Sequence, residues 1–159
     1  MGDTKRDLLR HTVSTLAYRA GKAVRGAPES FATFRIGDTT RSPERILAHM
    51  GDLLDWAHAM ATGREAWHDS TPLPWPHQVE RFFAALAAFD ALLASDATLA
   101  VPEERLFQGP IADALTHTGQ LAMLRRLDGS HVRGENYSRA DIVSGRVGPD
   151  QAAPRREFD

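Results

Sequence analysis

Apolar residues recur along the chain at helical spacing, and no stretch alternates with period two for long enough to predict a strand. Leu9, Val13, Leu16, Ala20 and Val24 follow one another at steps of three or four residues. That spacing predicts one apolar stripe on a helix over residues 3–25. Segment 25–41 is polar and broken by Gly26, Pro28 and Gly37, so it reads as a loop that Phe31, Phe34 and Ile36 tuck onto the body. Ser42-Pro43-Glu44-Arg45 signals a helix start, because a serine can cap free amides and a proline at the first position has no donor to waste. This second helix continues through Ile46, Met50, Leu53, Leu54, Ala57 and Ala61 to Gly63, a residue suited to the left-handed turn after a helix.

A second loop carries Pro72, Pro74 and Pro76 around Trp75. The third helix, about 76–95, carries Val79, Phe82, Phe83, Leu86, Phe89 and Leu93. A fourth helical region runs from Pro102-Glu103-Glu104 to Asp128-Gly129. A kink or restart is expected at Gly109-Pro110, since proline removes an amide donor and crowds the preceding turn. Beyond Gly129 the chain reads as an irregular tail. Four helices with long connections predict an all-α four-helix bundle.

Length makes this one domain: 159 residues against roughly 150 per domain, with a helical body over 3–128 and a tail over 129–159. Nineteen Lys and Arg against 21 Asp and Glu give a net charge of −2, which supplies no basic field for nucleic acid or an anionic membrane. There is no cysteine, which excludes disulfides, thiolate metal sites and a cysteine nucleophile. No apolar run reaches the roughly 18 residues of a membrane span, and the charged start MGDTKRDLLRH does not read as a signal peptide. Arg6 breaks the myristoylation pattern that Met1-Gly2 opens, so the expected location is cytoplasmic.

Candidate chemistry sits on the fourth helix. At about 100° per residue, His117 lies about 40° from Asp113, with Leu124 and Leu121 on the same side. A carboxylate and an imidazole one turn apart on an apolar face are the spacing of two metal ligands. On the second helix His49 shares a core-facing stripe with Ile46, Leu53 and Met60. The bundle interior can therefore gather His49, Asp113 and His117, three N/O donors with positions left open, which is the pattern of a catalytic rather than a structural site. A core histidine bonded to a carbonyl and a buried Asp–His ion pair are the alternatives.

Trp56, next to His49 in angle, and Gln120, next to Asp113, are candidate pocket walls. Tyr137, in the polar-aromatic segment 132–137, is a third if the tail folds over the bundle mouth; surface packing is its alternative. Other signals are weaker. Glu65-Ala66-Trp67-His68 spells one E-x-x-H, where a di-iron bundle needs two. His58 lies about 180° from His49 on the same helix and reads as surface. His11 is a surface or pocket-edge residue, and His77 and His131 read as solvated. Leu47, Leu54, Ile111 and Leu115 form apolar faces opposite the site, to be covered by a C2 homodimer or by helix one.

Ile46-Leu47-Ala48-His49-Met50, taken with the segment Asp113-Ala114-Leu115-Thr116-His117-Thr118-Gly119-Gln120-Leu121, resembles the DinB/YfiT-like superfamily over about residues 5–128. The resemblance implies a four-helix bundle with a metal triad: one His from the second helix and an H-x-x-x-H-x-G-Q-type segment in the fourth. His117-Thr118-Gly119-Gln120 matches the second half of that segment, while Asp113 stands where the family has His. It further implies a divalent ion, Zn²⁺ or Ni²⁺, on His49, Asp113 and His117. The activity implied is transfer of a low-molecular-weight thiol to an electrophile, with the thiol arriving as a small-molecule cosubstrate. A metal-water hydrolase is the enzymatic variant, and a non-catalytic, stress-related binding bundle with a relict site is the alternative class.

Overall fold

The computed structural model describes residues 4–159. The residue-3 start of the first helix and the Met1-Gly2 pair lie outside the described residues. The chain is all-α apart from one two-residue ladder. Its helices are α1 (Thr4–Val24), α2 (Pro43–Ala61), α3 (Trp75–Ala94), α4 (Glu103–Leu106) and α5 (Ala112–Leu127). Helices α4 and α5 form one rod through a π-turn at Phe107–Ile111. Pro110 sits in that turn, so the missing amide widens the helix rather than ending it.

The stripes predicted for α1, α2 and α3 meet in a single core, with Val13, Leu16, Leu54, Phe82 and Phe89 sealed from solvent. Of the apolar faces opposite the site, Leu47, Leu54 and Ile111 are fully buried in that core, and Leu115 is half-buried against it. No helix of the described residues is long and apolar enough to cross a membrane.

Side-chain contacts fix the direction of each rod. Arg6 donates to the carbonyls of Leu92 and Leu93, and Arg10 pairs with Asp90, so α1 and α3 are antiparallel. Lys5 pairs with Glu104 at one end, and Arg125 donates to the Ala23 carbonyl at the other, so α1 and the α4–α5 rod are parallel. Arg81 reaches Ala48 and Asp52, while the chain just past α3 returns to Ala61 through the Ala100 amide, so α2 and α3 are parallel as well. The bundle therefore runs up, down, down, up.

A parallel α2–α3 pair forces the connector 62–74 to travel the whole length of α2. Nineteen residues of helix span about 28 Å, and the connector, which reaches about 43 Å when extended at about 3.3 Å per residue, covers that length with room to spare. The prolines keep this strap extended.

The stop signal of α2 takes the form its residue chemistry predicts, and the start signal does so only in part. Gly63 has φ +70°, with Gly63 N–H bonded to Met60 and Arg64 N–H to Ala59, the paired bonds of a Schellman turn. Ser42 is buried at the head of α2, but its hydroxyl makes no cap; its carbonyl takes the Ile46 amide instead. Phe31 is buried as expected, while Ile36 stands 55% exposed on the rim of a cleft.

The tail is more ordered than its sequence suggests. Gly134–Glu135 (β1) pairs antiparallel with Glu157–Phe158 (β2), and the Phe158 ring lies so close that a Cβ on Gly134 would stand 2.6 Å from it. Glu135 is buried, accepting from Tyr18 Oη at 2.7 Å and Lys22 Nζ at 2.8 Å. Burial pulls the Lys22 ammonium down, but its hydrogen bonds to Glu135 and Glu157 outweigh this and raise it above the ordinary lysine value. The same Lys22 contact holds the Glu157 carboxyl below its usual range. These charge-assisted bonds, with Arg19 over the Tyr137 ring at 4.3 Å, pin the tail along α1.

Candidate metal centre

The antiparallel pair α2–α5 builds the centre. His49 leaves the middle of α2, and Asp113 and His117 leave successive turns of α5. His49 Nε2 lies 3.3 Å from Asp113 Oδ2, and His117 Nε2 lies 3.4 Å from Asp113 Oδ1. The two imidazole rings meet edge to face at 4.9 Å. One donor atom from each of the three residues lies within 4.8 Å of the other two. Two ligands about 2.1 Å from a shared ion at the tetrahedral angle stand about 3.4 Å apart. The observed spacings fit that edge.

Hydrogen bonding shows which atom of His117 is free. Its Nδ1 lies 2.7 Å from Gln120 Oε1, an acceptor, so Nδ1 carries the proton. Its Nε2 faces the Asp113 carboxylate, and a proton or a cation between the two satisfies both. Among the described residues Asp113 has no Lys or Arg partner; its ion-pair contacts are the two imidazoles. The donor set, two imidazoles and one half-exposed carboxylate, fits a borderline divalent ion such as Zn²⁺ or Ni²⁺.

The centre opens into a cleft of about 570 Å³, rimmed by Ile36, Arg41, Gln120 and Met123. On its other side a smaller concavity is walled by Trp56, Trp67 and Glu65. Trp67 packs edge-on to His49 at 5.5 Å and to Trp56 at 5.8 Å. Trp56 Nε1 donates to Glu65 Oε1 at 3.3 Å.

A second acid–imidazole group lies one turn along α2. His68 Nε2 is 3.1 Å from Asp52 Oδ1 and 3.4 Å from Asp55 Oδ2. Here the cation is already supplied. Arg81 Nη2 lies 2.6 Å from Asp52 and 2.9 Å from Asp55, and Ser70 adds an amide and a hydroxyl to Asp52. Gly51 makes room for this guanidinium, since a Cβ there would fall 2.1 Å from Arg81 Nη1. The cluster fastens the strap to α2 and α3.

The structure therefore brings together His49, Asp113, His117 and Gln120, with Trp56 on the adjoining wall. It does not bring Tyr137 there. That ring packs edge-on against Tyr18 at 6.1 Å, held by the anchored tail on α1 rather than over the cleft. The E-x-x-H pair is divided: Glu65 serves Trp56 and His68 serves Asp52. His11 meets Ser144 of the tail, and His58 is half-buried on α2. Sequence reading missed Trp67 against His49 and the Asp52–Asp55–Arg81 group. The three-residue spacing of Asp52 and Asp55 on one helix face was the available signal for the latter.

No family model, curated protein or solved structure matches the chain.

Proposed function

We propose that the protein is a divalent-metal-dependent enzyme of the DinB/YfiT-like kind, holding Zn²⁺ or Ni²⁺ on His49, Asp113 and His117 and transferring a low-molecular-weight thiol to an electrophile. The observation that carries this reading is the convergence of His49, Asp113 and His117, whose donor atoms lie within 4.8 Å of one another, with Gln120 holding His117 Nδ1 so that Nε2 turns to the carboxylate. Such an ion, when bound, lowers the pKa of a coordinated thiol or water. Gln120 fixes the ring of His117 and its tautomer. Trp67 and Trp56 line a second concavity beside His49, on the side away from the cleft of Arg41 and Met123. In the transfer the thiol sulfur bonds to the electrophilic carbon, its proton leaves to solvent, and the carbon's leaving group departs with its electron pair. The chain has no cysteine, so the sulfur comes from the cosubstrate.

Metal analysis tests the first half. Protein purified without chelator or a nickel column is expected to hold near-stoichiometric metal. His49→Ala and His117→Ala are each expected to weaken Zn²⁺ binding about 100-fold or more, since a direct ligand outweighs the 10–100-fold of its orienting partners. Protein that takes up neither Zn²⁺ nor Ni²⁺ in titration overturns the reading. Turnover of monochlorobimane tests the second half. It should depend on added glutathione, mycothiol or bacillithiol; turnover of electrophiles that ignores all three leaves the metal-water hydrolase.

A further inference from the structure

The charges around the cleft point to the class of molecule it receives. Arg41 lines the main cleft beside His49 and also lines the side concavity that Arg45 enters. In the main cleft Arg41 is the cationic side chain and Asp113 the anionic one. Neither Arg41 nor Arg45 has a hydrogen bond or ion pair among the described residues, whereas Arg10 and Arg81 beside the same helices are spent on carboxylates. The side concavity also holds Asp52 and Asp69. Asp52 is already matched by Arg81 and Ser70, which leaves Asp69 against two guanidiniums. A divalent ion on Asp113 would leave the main cleft positive overall. Its rim also carries two solvent-facing apolar side chains, with Ile36 at 55% and Met123 at 63% exposed.

We infer that Arg41, with Arg45 behind it, receives an oxyanion of the substrate, a carboxylate or phosphate, while the apolar body of that molecule lies on Ile36 and Met123. A guanidinium presents a planar fork that matches either oxyanion in two parallel bonds. Its place on the rim, outside the donor triad, lets it orient a substrate without competing for the ion. This rests on the proposed function only for what happens at the ion; the charge preference is a property of the rim.

Two probes that share a skeleton and differ in charge test it: glutathione and glutathione dimethyl ester. Their binding is measured by calorimetry on Zn²⁺-loaded and on metal-free protein. The wild type is expected to prefer glutathione by about tenfold, the worth of one good charge-assisted contact. The double variant Arg41→Gln/Arg45→Gln is expected to bind both probes equally, with its Zn²⁺ titration unchanged. A wild type that binds both alike or neither, or a double variant that keeps the preference, overturns the inference. Failure of the metal reading is separately visible, as a protein that binds no Zn²⁺ yet keeps the preference in metal-free solution.

Discussion

Two acid–imidazole groups lie side by side along α2, one with two carboxylates and one imidazole, the other with one carboxylate and two imidazoles, and the sharpest difference between them is an arginine. Asp52, Asp55 and His68 close around the guanidinium of Arg81, which lies 2.6 Å from one carboxylate and 2.9 Å from the other. His49, Asp113 and His117 gather at similar spacings with no side-chain cation among them. The first group carries its own cation: Asp52 is sealed from solvent and satisfied by Arg81, His68 and Ser70. The second keeps Asp113 half-exposed to a cleft and spends one imidazole proton on Gln120. Ligand-type residues close together do not by themselves make a metal site. A metal site needs a cation from outside the chain, and where an arginine already stands among such residues its place is taken.

Removing that arginine is the strongest way to break the contrast. Arg81→Ala leaves the Asp52 carboxylate buried against Ser70 and His68 without its charge partner. Stripping one partner from a buried pair costs about 3–5 kcal/mol, and the exposed side of Arg81 puts the expectation at the low end, about 3 kcal/mol in urea unfolding. The emptied cluster should also accept a second equivalent of Zn²⁺, which the wild type does not, and the ion should restore part of the lost stability. A variant as stable as the wild type, with no added metal uptake, would mean that the two clusters are not alternatives of one design.

Much of this was legible in the chain. The stripes of α1 to α3, the Gly63 stop and the pairing of Asp113 with His117 follow from a 3.6-residue period and from residues with one physical use. His49 could be placed on a core-facing stripe for the same reason. What stayed hidden depends on long-range geometry. Parallel α2 and α3 cannot be read from either helix alone, and that direction makes residues 62–74 a strap and delivers Trp67 to His49. The destination of Tyr137 was set by Lys22 and Glu135, which meet across more than a hundred residues of sequence. Pro110 was expected to kink or restart a helix, and it sits in a π-turn that joins α4 to α5.

A gentler change sharpens the role of Gln120. Gln120→Leu keeps the triad and removes the acceptor of His117 Nδ1–H. Loss of an orienting partner typically costs 10–100-fold in metal affinity, and the exposure of Gln120 places the expected loss near tenfold. Stability of the metal-free protein should stay within about 0.5 kcal/mol of wild type, as for other surface changes. Competition titration against a chromophoric chelator reads the first, and urea unfolding with EDTA reads the second. Unchanged affinity would assign His117 to the ion pair with Asp113 rather than to a ligand set.

The smallest expected effect lies where the two clusters touch. Trp67 precedes His68 on the strap, so the guanidinium cluster positions the ring that backs His49. The ring is 45% exposed and its contacts with His49 and Trp56 are edge-on, at 5.5 and 5.8 Å. Such aromatic pairs contribute roughly 0.5–1.5 kcal/mol, and half-exposure favours the lower figure. Trp67→Ala should therefore lower stability by about 0.5 kcal/mol and Zn²⁺ affinity by about threefold, through a looser His49 ring rather than a lost ligand. The Trp56 that remains should become more accessible to acrylamide quenching, since one face of its pocket is gone. An affinity loss as large as that of Gln120→Leu would show that the strap orients the candidate metal ligands as strongly as a direct hydrogen bond does, coupling the guanidinium cluster to the open one.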